Sequence, residues 1–169
     1  DYLVKDSVGA DYLSIGAGIS DLALRGQSGN VRFLIAGGDY YENITLVNWL
    51  PAYKTTFEAR GDGQTVLHAA GSWGVNLTTC SQLRFVGLKV TGHTSGAFRL
   101  YYSSSNYKGC DTITVKDCEM EGGSYGVYAY YDVDNCSIVG NYIHVNSSYG
   151  IYLYSGSSSY PMSYNVIAN

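Results

Sequence analysis

Four segments of the chain share one pattern: Gly74-Val75-Asn76-Leu77, Ala97-Phe98-Arg99-Leu100, Gly126-Val127-Tyr128-Ala129 and Gly150-Ile151-Tyr152-Leu153. Their starts are separated by 23, 29 and 24 residues. Each reads small–apolar–polar–apolar, the period-2 signature of a strand with one buried face. A second motif follows each: Phe85–Val90, Val115–Met120, Ile138–Ile143 and Tyr164–Ile167. One repeat therefore contains a first strand, a turn, a second strand, a tight bend and a third strand. A unit of about two dozen residues cannot close its own core, so it must stack on copies of itself with equivalent strands in parallel. The leucine-rich repeat has a similar period, but its L-x-x-L-x-L-x-x-N pattern is missing. Asn-Gly hairpin turns, which a β-sandwich needs, are missing too.

Stacking assigns single residues. Val75, Phe98, Val127 and Ile151 form one inward ladder, and Leu77, Leu100, Ala129 and Leu153 the next. Asn141 and Asn165 are expected at one shared bend, above Leu88 and Cys118, where their amides satisfy one another and the bend backbone. Near the start, Ile15, Ile19 and Leu22 are spaced as in a short amphipathic helix over 14–25, with Ser14 as N-cap and Gly26 as the stop. Such a helix would cover the open end of a stack. The expected fold is all-β: a right-handed, single-stranded parallel β-helix with a short N-terminal capping α-helix. It forms one domain over 1–169, clearest over 74–169.

Composition agrees with a packed core, since 46% of residues are hydrophobic and only 14% charged. The net charge of −4, with no basic run, argues against a nucleic-acid partner. No apolar stretch approaches the ~20 residues of a membrane-spanning helix, so membrane insertion is not expected. The chain lacks a signal peptide and an initiator Met, and reads as a piece of a longer secreted or cell-surface protein with covalently attached neighbouring domains. Cys80, Cys110, Cys118 and Cys136 match no metal-binding spacing and read as buried small residues, with disulfides open in an oxidising compartment.

The segments Asp11-Tyr12, Val31–Ile35 and Gly37–Leu46, with the helix between the first two, resemble the N-terminal cap and first turns of the pectin-lyase-like superfamily of parallel β-helices, in the form found in bacterial secreted and surface proteins. The element Gly38-Asp39-Tyr40-Tyr41-Glu42 is similar to one in pectin methylesterases. The resemblance implies a secreted β-helix whose ligands lie along the outside of the first strand of each turn. It does not carry over catalytic residues. The Asp-Phe-x-x-Gly-type segment of the methylesterases is missing, as is the Asp-Asp pair of polygalacturonases.

Alternation places Asn76, Thr78, Arg99, Tyr101, Tyr128, Tyr130, Tyr152 and Tyr154 on that outer face, with Tyr102 and Tyr131 at strand ends. The chain has 18 Tyr against 4 Phe and 2 Trp, and many of the phenols fall here. With turns about 4.8 Å apart and alternate residues about 6.5–7 Å apart, they should make a grid of rings suited to the C–H faces of a sugar polymer. The other reading is architectural, because Tyr favours strands and same-residue ladders stabilise sheets without a ligand. Three functions stay open: a non-catalytic polysaccharide-binding module, a structural or adhesive repeat segment, and a polysaccharide lyase or esterase with Arg99 as base or carboxylate clamp. The outer face offers no pair of carboxyl groups for glycoside hydrolysis, and binding without catalysis is favoured. No cofactor is required; Ca²⁺ is the one ion the residues suggest, through Asp132 and Asp134 in the turn after Tyr131.

Overall fold

The computed structural model describes residues 1–5, 9–103, 108–155 and 161–168. From Val31 onward successive strands pass to successive sheets, and all three sheets are parallel. The first sheet contains Ile44–Val47, Trp73–Thr78, Gly96–Tyr101, Tyr125–Tyr130 and Tyr149–Tyr154. The second contains Tyr2–Val4, Val31–Ile35, Thr55–Ala59, Ser81–Val86, Asp111–Lys116, Ser137–Val139 and Val166–Ala168. The third contains Gly38–Tyr40, Thr65–His68, Leu88–Thr91, Glu119–Glu121 and Tyr142–His144. Each strand pairs with its equivalents one turn away, so the chain winds as a parallel β-helix.

The first-sheet register is the expected one. Phe98 pairs with Val75 and Val127, and Val127 with Ile151; Leu100 pairs with Leu77 and Ala129, and Ala129 with Leu153. In the second sheet Phe33, Phe57 and Phe85 share one inward column. Their rings stack at 5.3 and 5.2 Å, and Phe98 closes the stack edge-on at 5.4 Å. All four Phe of the chain thus meet in one interior cluster, three in the second-sheet column and Phe98 from the first sheet, each at most 1% exposed. Burial of each is worth about 1.5–3 kcal/mol.

Corners turn through single residues in the left-handed region, and these stack as well. Gln82, Thr112, Asn135 and Tyr164 occupy one corner, with φ of 58, 57, 51 and 57°. Gly87, Asp117 and Gly140 occupy the next, at 68, 51 and 65°.

The Asn assignment needs correction. Val166 pairs with Ser137, which places Asn165 above Cys136 at the entry to the second sheet. Asn141 sits above Cys118, at the bend between the second and third sheets. The two therefore stand at different corners and do not satisfy each other. Each nevertheless does the same work. Asn141 Oδ1 accepts the Cys118 amide and its Nδ2 donates to the Val115 carbonyl, both at 2.9 Å. Asn165 treats Cys136 and Val133 in the same way, at 2.9 and 2.7 Å.

The helix spans Ile15–Arg25. Ser14 caps it by accepting the Ala17 amide at 3.0 Å, and Gly26 ends it with φ 74°. Ile15 and Leu22 are buried, and Gly18 packs so close to Phe33 that a Cβ there would approach its ring within 2.8 Å. Glu42 holds the helix start: its two carboxylate oxygens accept the Ile15 and Gly16 amides, both at 2.8 Å. A carboxylate favours the positive end of the helix dipole. The Tyr40 hydroxyl donates to the carbonyls of Val4 and Ala36. The Gly38–Glu42 element is thus part of the cap. At the other end the last turn is open, with Leu153, Val166 and Ile167 between 41 and 52% exposed.

Candidate functional site

The outer face of the first sheet carries three columns of side chains, set by strand register. The middle column is Thr45, Asn76, Arg99, Tyr128 and Tyr152. The third is Val47, Thr78, Tyr101, Tyr130 and Tyr154. Every first-sheet position expected to face outward does so.

The rings lie nearly parallel. Tyr101 to Tyr130 is 5.5 Å between centroids at 14°, and Tyr130 to Tyr154 is 5.1 Å at 20°. Tyr128 to Tyr152 is 5.3 Å at 13°. Along the strands, Tyr128 and Tyr130 stand 5.7 Å apart at 7°, and Tyr152 and Tyr154 6.2 Å apart at 10°. The grid is therefore a field of closely spaced, near-parallel rings. Tyr102 and Tyr131 meet edge-on at 5.8 Å at the strand ends, and Tyr131 abuts Tyr130 at 4.2 Å.

Sequence reasoning missed the remaining column: Trp73, Gly96, Tyr125 and Tyr149. Gly96 leaves a gap, and a Cβ there would lie 2.5 Å from the Trp73 ring. Trp73 reaches across it to stack on Tyr125 at 6.3 Å, and Tyr125 stacks on Tyr149 at 6.2 Å. Each of these residues precedes the small–apolar–polar–apolar motif by one position. Strict alternation would turn them inward, but the small first residue of the motif (Gly74, Ala97 and Gly126) is itself buried and breaks the period, so the pattern hid this column.

Arg99 lies flat in this surface. Its guanidinium sits 3.7 Å above the Tyr101 ring and 5.6 Å from Trp73, cation–π contacts that hold its plane in place. Nη1 donates to Asn76 Oδ1 at 3.5 Å, and Nε is buried with no partner among the described residues. A hydrogen bond with Tyr131, then burial, pushes the Tyr130 hydroxyl well above the usual phenol range; burial, then the neighbouring phenols, raises Tyr128. No carboxylate occupies an outward strand position of this sheet among the described residues.

Asp132 and Asp134 lie beside the grid but brace the backbone. Asp132 Oδ2 accepts the Gly109 amide at 2.9 Å, and Asp134 Oδ1 accepts the Ser163 amide. Burial raises Asp134 above the usual carboxylate range. With Asp111, Lys108, Cys80 and Leu50 they line a groove; among the described residues they belong to no cluster of three close ligand atoms.

The close ligand set lies elsewhere, on the outer face of the third sheet. Glu119, Glu121 and His144 bring their donor atoms within 4.8 Å of one another. Register explains it, since Glu121 pairs with His144. Lys89 already occupies the centre, 2.8 Å from Glu119 and 2.7 Å from Glu121, and His144 Nε2 is 3.2 Å from Glu119. The two carboxylates raise Lys89 to about 12, and Lys89 holds both below their usual range. This set is a closed ion-pair network. Lys89 and His144 lie 23 or more residues from the two Glu in sequence, so only the aligned third strands reveal it.

Comparison with known proteins gives one result. Residues 64–169 match the family model described as right handed beta helix region. No curated protein and no solved structure was found to match the chain. The matched segment exceeds half of the chain and contains every turn that carries the aromatic grid, and so the protein belongs to the right-handed beta helix family.

Proposed function

We propose that the outer face of the first sheet is a non-catalytic binding surface for a polysaccharide. One observation carries this reading: three adjacent columns of rings lie within about 20° of parallel along each column, with polar tips between them. Sugar rings present apolar C–H faces and hydroxyl edges. A near-parallel phenol surface can cover the first and bond the second. Asn76 and Arg99 add an acceptor and a charged donor at one edge of the grid. The absence of an outward carboxylate pair on the described strands of this sheet speaks for binding over glycoside hydrolysis.

The stacking distances themselves favour a second reading, a structural or adhesive segment in which the phenols serve each other and no glycan. A lyase or esterase centred on Arg99 is the third.

Retention on a panel of insoluble and immobilised polysaccharides, with Ca²⁺ or with a chelator, separates them. The binding reading expects retention of the whole chain, loss of retention in Tyr128→Ala, Tyr130→Ala and Tyr152→Ala, and no sugar in the supernatant. Release of sugar that disappears in Arg99→Ala would support the enzyme reading. Absence of retention across the panel would leave the aromatic grid as architecture.

A further inference from the structure

Cys80 and Cys110 occupy the same position in consecutive turns. They precede Ser81 and Asp111, which pair in register, and the Asp111 amide donates to the Cys80 carbonyl at 2.9 Å. Their Cα atoms are therefore one turn apart, about 4.8 Å, inside the ~4.4–6.8 Å window for a disulfide. Both are fully buried free thiols.

Their surroundings also repeat by one turn. Cys80 Sγ donates to the carbonyls of Leu46 and Thr78, at 3.2 and 3.4 Å. Cys110 Sγ faces those of Leu77 and Tyr101, at 3.6 and 3.7 Å. Leu46 pairs with Leu77, and Thr78 with Tyr101, so the two side chains point the same way and thiol lies over thiol. A hydrogen bond from Cys110 holds the Cys80 thiol below its usual range, and the same contact pushes Cys110 well above it.

The other two cysteines have no such neighbour. Cys118 stands between Leu88 and Asn141, and Cys136 between Ile113 and Asn165.

We propose that Cys80 and Cys110 are a redox pair that closes to an inter-turn disulfide on meeting a small disulfide oxidant. Cys80 is the attacking sulfur. It borders the groove that also presents Asp111, Asp132, Asp134 and Lys108, a groove that Cys110 does not line, and because its thiol is fully buried the attack follows a local opening of the turn. The Cys80 thiolate attacks one sulfur of the oxidant, expelling one thiolate and leaving a mixed disulfide. The Cys110 thiolate then attacks the Cys80 sulfur and expels the second. Two protein thiols are oxidised, one oxidant disulfide is reduced to two thiols, and each expelled thiolate takes up a proton released by a cysteine. In-register Cβ atoms about one strand spacing apart must approach by several tenths of an ångström to reach disulfide geometry. The bond is accordingly strained and readily reduced. It would fasten together the two turns that end in Thr78 and Tyr101, at the edge of the aromatic grid.

The test is incubation of the folded full-length chain with cystamine, a small cationic disulfide matched to the acidic groove, followed by digestion and mass mapping. The expected result is an intact mass lower by two hydrogens and one cross-linked peptide joining Cys80 to Cys110, reversed by dithiothreitol. Cys110→Ser should trap cystamine on residue 80. Cys118→Ser and Cys136→Ser should leave the cross-link unchanged. Four alkylatable thiols after exhaustive oxidation, or a link through Cys118 or Cys136, would overturn the proposal. Because the wild-type map decides alone, a variant that fails to fold does not blunt the test.

Discussion

Two aromatic stacks run along this molecule, one inside and one outside. Phe33, Phe57 and Phe85 stack at 5.2–5.3 Å within the core; Tyr101, Tyr130 and Tyr154 stack at 5.1–5.5 Å on the outer face of the first sheet. Register imposes the same spacing on both. What differs is the far side of the rings. The Phe column is at most 1% exposed, whereas the Tyr column becomes more open toward the last turn, where Tyr154 is 39% exposed. Stacking by itself therefore says little about purpose. The inner rings are covered by the other two sheets, and the outer rings keep one face for solvent or a ligand.

The largest expected effect breaks the inner stack. Phe57→Ala leaves a cavity between two rings and should cost about 3–5 kcal/mol in denaturant unfolding. A cost below about 1 kcal/mol would mean that the interior column collapses easily and differs little from the outer one. Next comes Asn141→Ala. It strips partners from the Cys118 amide and the Val115 carbonyl and should cost about 1–3 kcal/mol by the same measurement. A neutral result would show that water replaces the amide at that corner. Tyr130→Ala should cost about 1 kcal/mol or less of stability, because its ring already faces solvent on one side. A larger loss would move the outer stack toward the architectural reading.

A pH titration sharpens the contrast from another direction. His93 is 4% exposed and donates through Nε2 to the Gly122 carbonyl at 3.1 Å; burial lowers it below its ordinary value of 6.5. The fold thus holds it neutral. Its contribution is complete above the unfolded value and is lost as pH falls through 6.5 toward the depressed folded value. Unfolding between neutral and mildly acidic pH should show this loss in the wild type and a flatter profile in His93→Gln. Tyr128, raised chiefly by burial, and Tyr130, raised chiefly by its hydrogen bond with Tyr131, should contribute nothing over that range.

The first-sheet register was legible in the sequence because strict alternation of small, apolar and polar residues survives in four turns. The columns that hold Tyr128 and Tyr130 follow from it directly; the one that holds Tyr125 does not, because a buried small residue interrupts the period. Asn165 was misplaced for a physical reason: Gly140-Asn141 and Tyr164-Asn165 both pair a left-handed residue with an Asn that bonds the turn beneath. Two different corners use the same local chemistry, and only strand pairing tells them apart. The Phe column escaped notice because the early turns share geometry without sharing sequence. Glu42 was visible as part of a family-like element, but its role depends on a helix 26 residues away in the chain. Lys89, Glu119, Glu121 and His144 meet only across turns, as do Cys80 and Cys110.

The central claim is that the outer aromatic face binds a ligand and does more than stiffen the sheet. Its most direct test is a titration of the chain carrying Tyr128→Ala, Tyr130→Ala and Tyr152→Ala with the polysaccharide that the wild type retains, on protein shown to be folded by circular dichroism. Loss of three central rings should weaken binding by a hundredfold or more, since about 1.4 kcal/mol per ring is tenfold each. Unchanged affinity in a folded variant would contradict the account and return the Tyr stack to architecture.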